Sequence, residues 1–440
     1  MAFAAPVDPA RATGLLADAV RAAAADHVDA ALLARAGEYT RFAGERVHQP
    51  QDITEQQVVV RAVVDGHAAR VATSALDRVP DAVRRATAIA SGLARSATAP
   101  GSAWTPQHRD TDDHVLWHDD TAAFDAPARI AIAAEAMTRA RRAGTTAAGM
   151  VGRAVTQLAV ASSTGALRHV VATEATGSFT VGDRDGSAHW ANLHRSRDAL
   201  GLDAATVADT VDRAVRTRGR QPLPDGAYTV VLGPEATCEL LGFLGVLGFE
   251  GGLAQAGVGV ATRPGLRVAS ELVTVADDAS HPYGLPIPFD VLGTSKAVVP
   301  LLTAGLVGVP VTDRTGHTHV AREAVPSPVA ANVVMAPGTE GDLVAGVEDG
   351  LYVERFWYTR LVDRQASTIT GVTRDACFRI VDGELADPVR GARFTQPVFD
   401  LLSTVDGVGD VLRAQPIMNV WNGSVTAPAI RAHGFRFGPR

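Results

Sequence analysis

Cysteine is nearly absent from the 440-residue chain: Cys238 and Cys377 are the only two, enough for one bridge at most. A disulfide scaffold is thereby excluded, and a reducing compartment is expected. Lysine is rarer still, since Lys296 is the only one and 40 of the 41 basic residues are arginine. Net positive charge is also missing. With 48 acidic residues the chain carries −7, against the basic excess or stripe of a nucleic-acid binder. Long apolar runs are lacking as well. The stretch 297–311 is broken by Pro300, Thr303, Gly305, Gly308 and Pro310, short of the ~20 apolar residues a spanning helix needs. The N-terminal residues show no charged region followed by an unbroken apolar core, so no signal peptide is expected. These absences predict a cytoplasmic protein without a nucleic-acid or membrane partner.

What is present suits a folded chain of two or three domains: 46% hydrophobic and 20% charged residues supply ample core. The arginines are scattered and balanced by acids, which reads as compositional bias rather than a recognition surface.

Periodicity divides the chain into three segments. In residues 1–105, Asp8 and Pro9 open a helix carrying Leu15, Leu16, Ala19 and Val20. Strand-like runs follow at Val28–Ala34, Tyr39–His48, Gln56–Val64 and Ala68–Thr73, then a helix from Pro80 with Val83, Ala90 and Leu93 inward. In residues 106–222, after a polar stretch to about 124, Asp125 caps a helix whose apolar side is Ile130, Ile132, Ala133 and Met137. Strands are expected at Gly149–Val155, Gln157–Ser162 and Leu167–Val181, and a helix from Asp203 ends at Gly219. Residues 223–440 read as β-rich, with short apolar runs at Tyr228–Leu232, Val268–Val275, Val329–Met335 and Arg355–Leu361 and one helix near Glu235–Leu247. The expected class is α+β, with N-terminal α/β segments followed by a large C-terminal domain of mixed strands.

Nucleotide fingerprints and a nucleophile elbow are absent, the glycine-dense 251–259 having neither spacing. Two sets of metal-capable side chains stand out. His108, Asp110, Asp112, Asp113, His114, His118, Asp119 and Asp120 crowd one stretch without a helical apolar face, and read as a solvated acidic linker. His317 and His319 form a His-x-His pair that a strand would project to one side, with Glu323 nearby. Neither cysteine has a neighbour that would activate it.

The C-terminal half carries a set of runs in a particular order. Gly350–Tyr358 (GLYVERFWY) and Thr370–Phe378 (TGVTRDACF) are followed by Asp382-Gly383-Glu384, Pro388-Val389 and Arg393-Phe394-Thr395. Thr315-Gly316-His317 and Pro326-Ser327-Pro328 precede them. This series resembles the TldD/TldE (PmbA) peptidase family, and the N-terminal segments fit the resemblance too. The family has two subunit types that work as a pair. The TldD type carries a zinc-binding His-Glu-x-x-x-His on the helix of its third domain and a further thiolate ligand near the C-terminus. In this chain the resemblance places the first His on Gly242, the Glu on Phe243 and the second His on Leu247, and 415–421 holds no cysteine. None of these residues can bind zinc. The resemblance therefore implies a TldE-type, non-catalytic subunit that binds no cofactor of its own. A TldD-type partner would supply the zinc, the substrate would be an unfolded or short peptide, and a homodimer without the partner stays open. Two alternatives are an autonomous metallohydrolase using His317 and His319, and a stand-alone peptide-binding scaffold.

Overall fold

The computed structural model describes residues 3–106, 116–285, 287–320, 326–416 and 423–438. Asp8 caps helix α1 (Pro9–Arg21) by accepting the Arg11 N–H at 2.8 Å, with Pro9 in the first turn where no N–H is required. Helix α2 (Val79–Ser96) has Pro80 in that place. Asp125 and Asp203 cap α3 (Ala126–Arg142) and α4 (Ala204–Arg216), accepting from Ala128 N and Thr206 N at 3.0 and 2.8 Å. Gly144 and Gly219 follow α3 and α4 with φ of +68° and +76°, a left-handed turn that glycine adopts without strain.

The inner side of α3 differs from the expectation at one residue: Ile130 is 44% exposed. Ala133 is buried as expected, together with Ala136 and Ala140, and Ile132 and Met137 pack against the same core. Small side chains let the helix lie close to the strands, where a branched residue would hold it off. The same choice recurs on α2, which buries Ala82, Ala86 and Ala90 with Val79 and Val83 while Leu93 stays exposed.

Strands β1 (His27–Ala43), β2 (Arg46–Val64), β3 (His67–Thr73), β4 (Thr146–Ser162), β5 (Leu167–Gly182) and β6 (Ser187–His194) form one antiparallel sheet, in the order β3-β2-β1-β4-β5-β6. The runs Val28–Ala34 and Tyr39–His48 merge into β1 up to Ala43, and Gly149–Val155 and Gln157–Ser162 merge into β4. The charged and glycine residues between them stay extended because neighbours on both sides satisfy their backbone groups. β1 and β4 pair from Asp29↔Ser162 to Phe42↔Gly149. Segments 1–105 and 106–222 thus contribute three strands each to one sheet, and position 105 lies between strands of a continuous layer. That pairing covers an edge that each three-stranded half would otherwise leave open.

The centre of the sheet is buried on both faces. Val28, Ala30, Leu32 and Ala34 of β1 pack with α1 and α2, while Ala31 and Leu33 meet Ile287, Phe289, Val291 and Val320 of the C-terminal half. Side chains alternate across a strand, so burial of both faces demands the continuous apolar run seen in the sequence.

In the C-terminal half, five strands pair in a closed ring. Gly226–Leu232 pairs with Asp349–Asp363, which pairs with Thr368–Val381; Arg393–Pro397 and Ile430–Phe437 complete the circuit. Phe356, Phe394 and Phe435 fill it, with ring centroids 4.6–5.7 Å apart. A second sheet runs in the order 306–307, 299–303, 275–277, 332–335, 424–427 and 413–416. The expected runs Val268–Val275 and Val329–Met335 shrink to Val275–Asp277 and Asn332–Met335, because Ala269, Val273, Val329 and Ala330 are buried in irregular chain. Helix α5 (Pro234–Phe243) lies between ring and second sheet and buries residues 235–238, 240 and 241. The class is α+β, and among the described residues no helix is long and apolar enough to cross a membrane.

Close alanine packing can be tested directly. Ala136→Leu should destabilise the fold by about 1–3 kcal/mol through overpacking, while Ile130→Ala should stay within about 0.5 kcal/mol of wild type. Chemical denaturation of the two variants checks the assigned face.

Candidate functional site

Helix α5 begins where Gly233 N donates to the Val353 carbonyl at 2.9 Å, with Pro234 in its first turn. At its far end a Cβ on Gly242 would stand 3.7 Å from Val425 Cγ2, and Phe243 is packed against the hydrophobic core. The helix then widens into a π turn over Leu244–Gly248. Leu247 lies in that turn, but its side chain falls outside the described residues. A hydrogen atom, a phenyl ring and an isobutyl group offer no donor to a metal, so zinc does not fit these positions. Residues 417–422 also lie outside the described residues.

The hairpin above α5, strands Arg413–Pro416 and Ser424–Ala427, links this helix to a cleft. Its Val425 carbonyl accepts from Cys238 Sγ at 3.4 Å. Its strand ends at Pro416 and Gly423 line one side of a cleft of about 210 Å³, and Arg35 and Tyr39 of β1, Ile53 and Glu55 of β2, and Glu174 of β5 line the other. Arg35 pairs with Glu174 at 2.6 Å and also donates to Thr156 Oγ1 and the Tyr39 hydroxyl. Burial works against its charge, yet the Glu174 carboxylate holds the guanidinium well above its ordinary pKa. The Tyr39 ring lies across two glycines. A Cβ on Gly37 would stand 2.5 Å from its hydroxyl oxygen, and one on Gly152 2.3 Å from its Cδ1. Nothing in the sequence marks this group: Arg35 and Glu174 are 139 residues apart, on β1 and β5, and only the strand order brings them together.

His317 and His319 do come together, with ring centroids 6.4 Å apart. His317 Nε2 lies 2.9 Å from Asp277 Oδ1 and its Nδ1 2.8 Å from the Thr315 carbonyl. Lys296 is buried in the same cluster. Burial lowers its pKa to about 8, and burial together with Lys296 keeps His319 well below its ordinary value. Asp290, buried and accepting from Thr318 N, is pushed up to about 7. Among the described residues no group of three or more His, Cys, Asp or Glu is placed to hold a metal ion. Here the charge that a metal would supply is already provided by an ammonium. Glu323 and residues 107–115, with His108, Asp110, Asp112, Asp113 and His114, lie outside the described residues. His118, Asp119 and Asp120 are described. Asp120 accepts from Asp198 N at 2.9 Å and joins the acidic stretch to the β6 end.

A second buried network locks α5 to β6. Glu235 accepts the Ala191 N–H at 2.9 Å, and Glu354 accepts the His189 N–H at 2.7 Å and pairs with Arg213 at 2.9 Å. Burial raises the Glu235 carboxyl to about 7 and the Glu354 carboxyl to about 8, and lowers His189 to about 3. A charged pair inside the apolar run Leu351–Tyr358 is the only sequence signal for it.

Residues 225–439 match the model of the PmbA/TldA metallopeptidase C-terminal domain. A protein named metalloprotease from Methanothermobacter thermautotrophicus is 27% identical over 224 residues, 46% of this chain and 47% of that protein; the matched stretch spans about half of its length. The fold is shared with TldE from Thermococcus kodakarensis, with a TM-score of 0.82 over 98% of this chain and 100% of that one at 16% identity. It is also shared with a protein described as a proposed modulator of DNA gyrase from Bacteroides thetaiotaomicron. There the TM-score is 0.76 over 98% of both chains, at 18% identity.

Two outcomes follow from this geometry. Gly152→Ala should displace the Tyr39 ring and cost about 1–3 kcal/mol in denaturant unfolding. Glu235 binds its proton more readily in the folded than in the unfolded chain, so its contribution is complete below pH 4.5 and lost as pH rises through about 7. Glu235→Gln, which keeps the acceptor for Ala191 N, should gain stability over wild type between pH 5 and 8, by on the order of 2 kcal/mol. A difference independent of pH would contradict the assignment.

Proposed function

Because the chain belongs to the PmbA/TldD family, we propose that it is a TldE-type, non-catalytic subunit of a two-component zinc peptidase, working in the cytoplasm on unfolded or short peptides. What supports this reading is α5: the resemblance sets Gly242 and Phe243 at the positions of an imidazole and a carboxylate, neither can bind a metal, and Phe243 packs against the core. A TldD-type partner would bring the metal and the general base, and this chain would supply one wall of the chamber in which the peptide is held.

The chain's own residues do the binding. The cleft between the sheet and the strand ends Pro416 and Gly423 offers the Tyr39 phenol and the Glu55 carboxylate beside the apolar Ile53 and Leu285. The Arg35–Glu174 pair fixes the floor of that cleft, so its polar groups are already oriented when a peptide arrives. Donors and acceptors next to aliphatic walls suit a peptide of mixed composition rather than one side chain. Whether the product is a matured precursor or a degraded protein depends on which peptides reach the chamber.

Co-expression with a zinc-bearing TldD-type subunit from the same source tests the proposal. The two chains should elute as one complex that hydrolyses an unfolded peptide, and the isolated chain should show no hydrolysis. Arg35→Ala in the complex should raise KM with the zinc content unchanged. Peptide hydrolysis by the isolated chain, abolished by replacing His317 and His319, would favour the autonomous reading instead.

A further inference from the structure

The strand Asp349–Asp363 carries an exposed cluster that lies outside the peptide cleft. Trp357 is 40% and Tyr358 69% exposed, and their rings meet edge to face with centroids 5.5 Å apart. The Arg374 guanidinium lies 4.4 Å from the Trp357 ring centre and that of Arg360 5.8 Å from Tyr358. Arg355, 5.4 Å from the Trp357 ring, is already neutralised by Asp375 at 2.5 Å. Arg360 donates only to the Thr359 carbonyl, and among the described residues neither Arg360 nor Arg374 has an ion-paired carboxylate.

The backbone beneath these rings is unusual. Tyr358 has φ of +54°, a left-handed conformation that a residue with a Cβ rarely adopts. The ladder to the neighbouring strand jumps from Trp357↔Val372 to Arg360↔Thr370, so the chain bulges at Tyr358 and Thr359. Thr359 turns inward and is buried, while the tyrosine ring is turned into solvent. The strained residue gains little packing within its own chain, which points to a use outside it.

Tryptophan, tyrosine and arginine are the side chains that most often carry binding energy at protein interfaces. Guanidinium groups held over aromatic faces remain available for carboxylates, and a chain of net charge −7 has few surfaces that would attract nucleic acid. We infer that the Trp357–Tyr358 bulge is a docking surface for an acidic segment of a partner protein, whose carboxylates pair with Arg360 and Arg374 while an apolar side chain packs on the two rings. The inference stands independently of the peptidase reading, since it uses neither the cleft nor the Gly242 and Phe243 positions, although Glu239 of α5 lies beneath the bulge near Thr359 and Arg360.

A fluorescein-labelled peptide alternating Glu and Leu, titrated with the full chain and followed by anisotropy, tests it. Binding should weaken as salt rises. It should fall by about tenfold or more in Trp357→Ala and in the double variant Arg360→Glu/Arg374→Glu. The double variant changes only exposed side chains and should unfold at the wild-type midpoint. Arg263→Glu/Arg267→Glu, in a separate surface groove, should bind like wild type. Equal binding of a Lys–Leu peptide, or unaltered binding by the double variant, would overturn the inference. So would a homodimer that dissociates in the double variant, because the patch would then serve self-association.

Discussion

The pairing of β1 with β4, and the burial of that pair on both faces, is the constraint on which the molecule depends. It joins the first and middle segments into one six-stranded sheet. It also presents Ala31, Leu33, Leu158 and Val160 to Ile287, Phe289 and Val291. An apolar sheet face of this kind is unstable in water, so the C-terminal half is held on it by the hydrophobic effect. The Arg35–Glu174 pair and the Tyr39 ring meet Pro416 and Gly423 only because that contact exists. The cleft is thus a property of the whole chain, not of a domain.

Helix α5 is the second fixed element. Its start is tied to β6 through Glu235, and Glu354 on the adjoining strand ties to the same β6 backbone. Its end is packed under Val425. Two carboxyls with raised pKa values at such a junction are stored strain: they remain favourable while protonated and become costly when ionised in a buried site. The helix is thus tied at both ends, and Glu235, Cys238 and Glu239 on it are held in buried or largely buried surroundings.

Much of this was legible in the sequence, unevenly. Asp8, Asp125 and Asp203 mark helix starts through a local hydrogen bond, and local chemistry reads well from sequence. The apolar run Val28–Ala34 announced a strand for the same reason. Ile130 misled because hydrophobicity alone ranks it above alanine, whereas helix–sheet distance selects the small residue. β6 is not visible in the sequence because Ser187, His189, Asn192 and His194 make its run half polar, and those side chains find partners such as Thr180 Oγ1 for His189 and the Leu200 carbonyl for Asn192. The cleft was invisible as well, being assembled from residues far apart in sequence. The expectation at Gly242, Phe243 and Leu247 rests on the register that the runs around Gly350–Tyr358 and Thr370–Phe378 give the resemblance, not on local chemistry.

The central claim is that this chain contributes structure and binding while a partner contributes the metal. Metal analysis after exhaustive dialysis, on the isolated chain and on its complex with a zinc-bearing partner, tests it most directly. The account predicts zinc in the complex at one equivalent per partner subunit and none retained by the isolated chain. One equivalent of tightly held zinc on the isolated chain would contradict it.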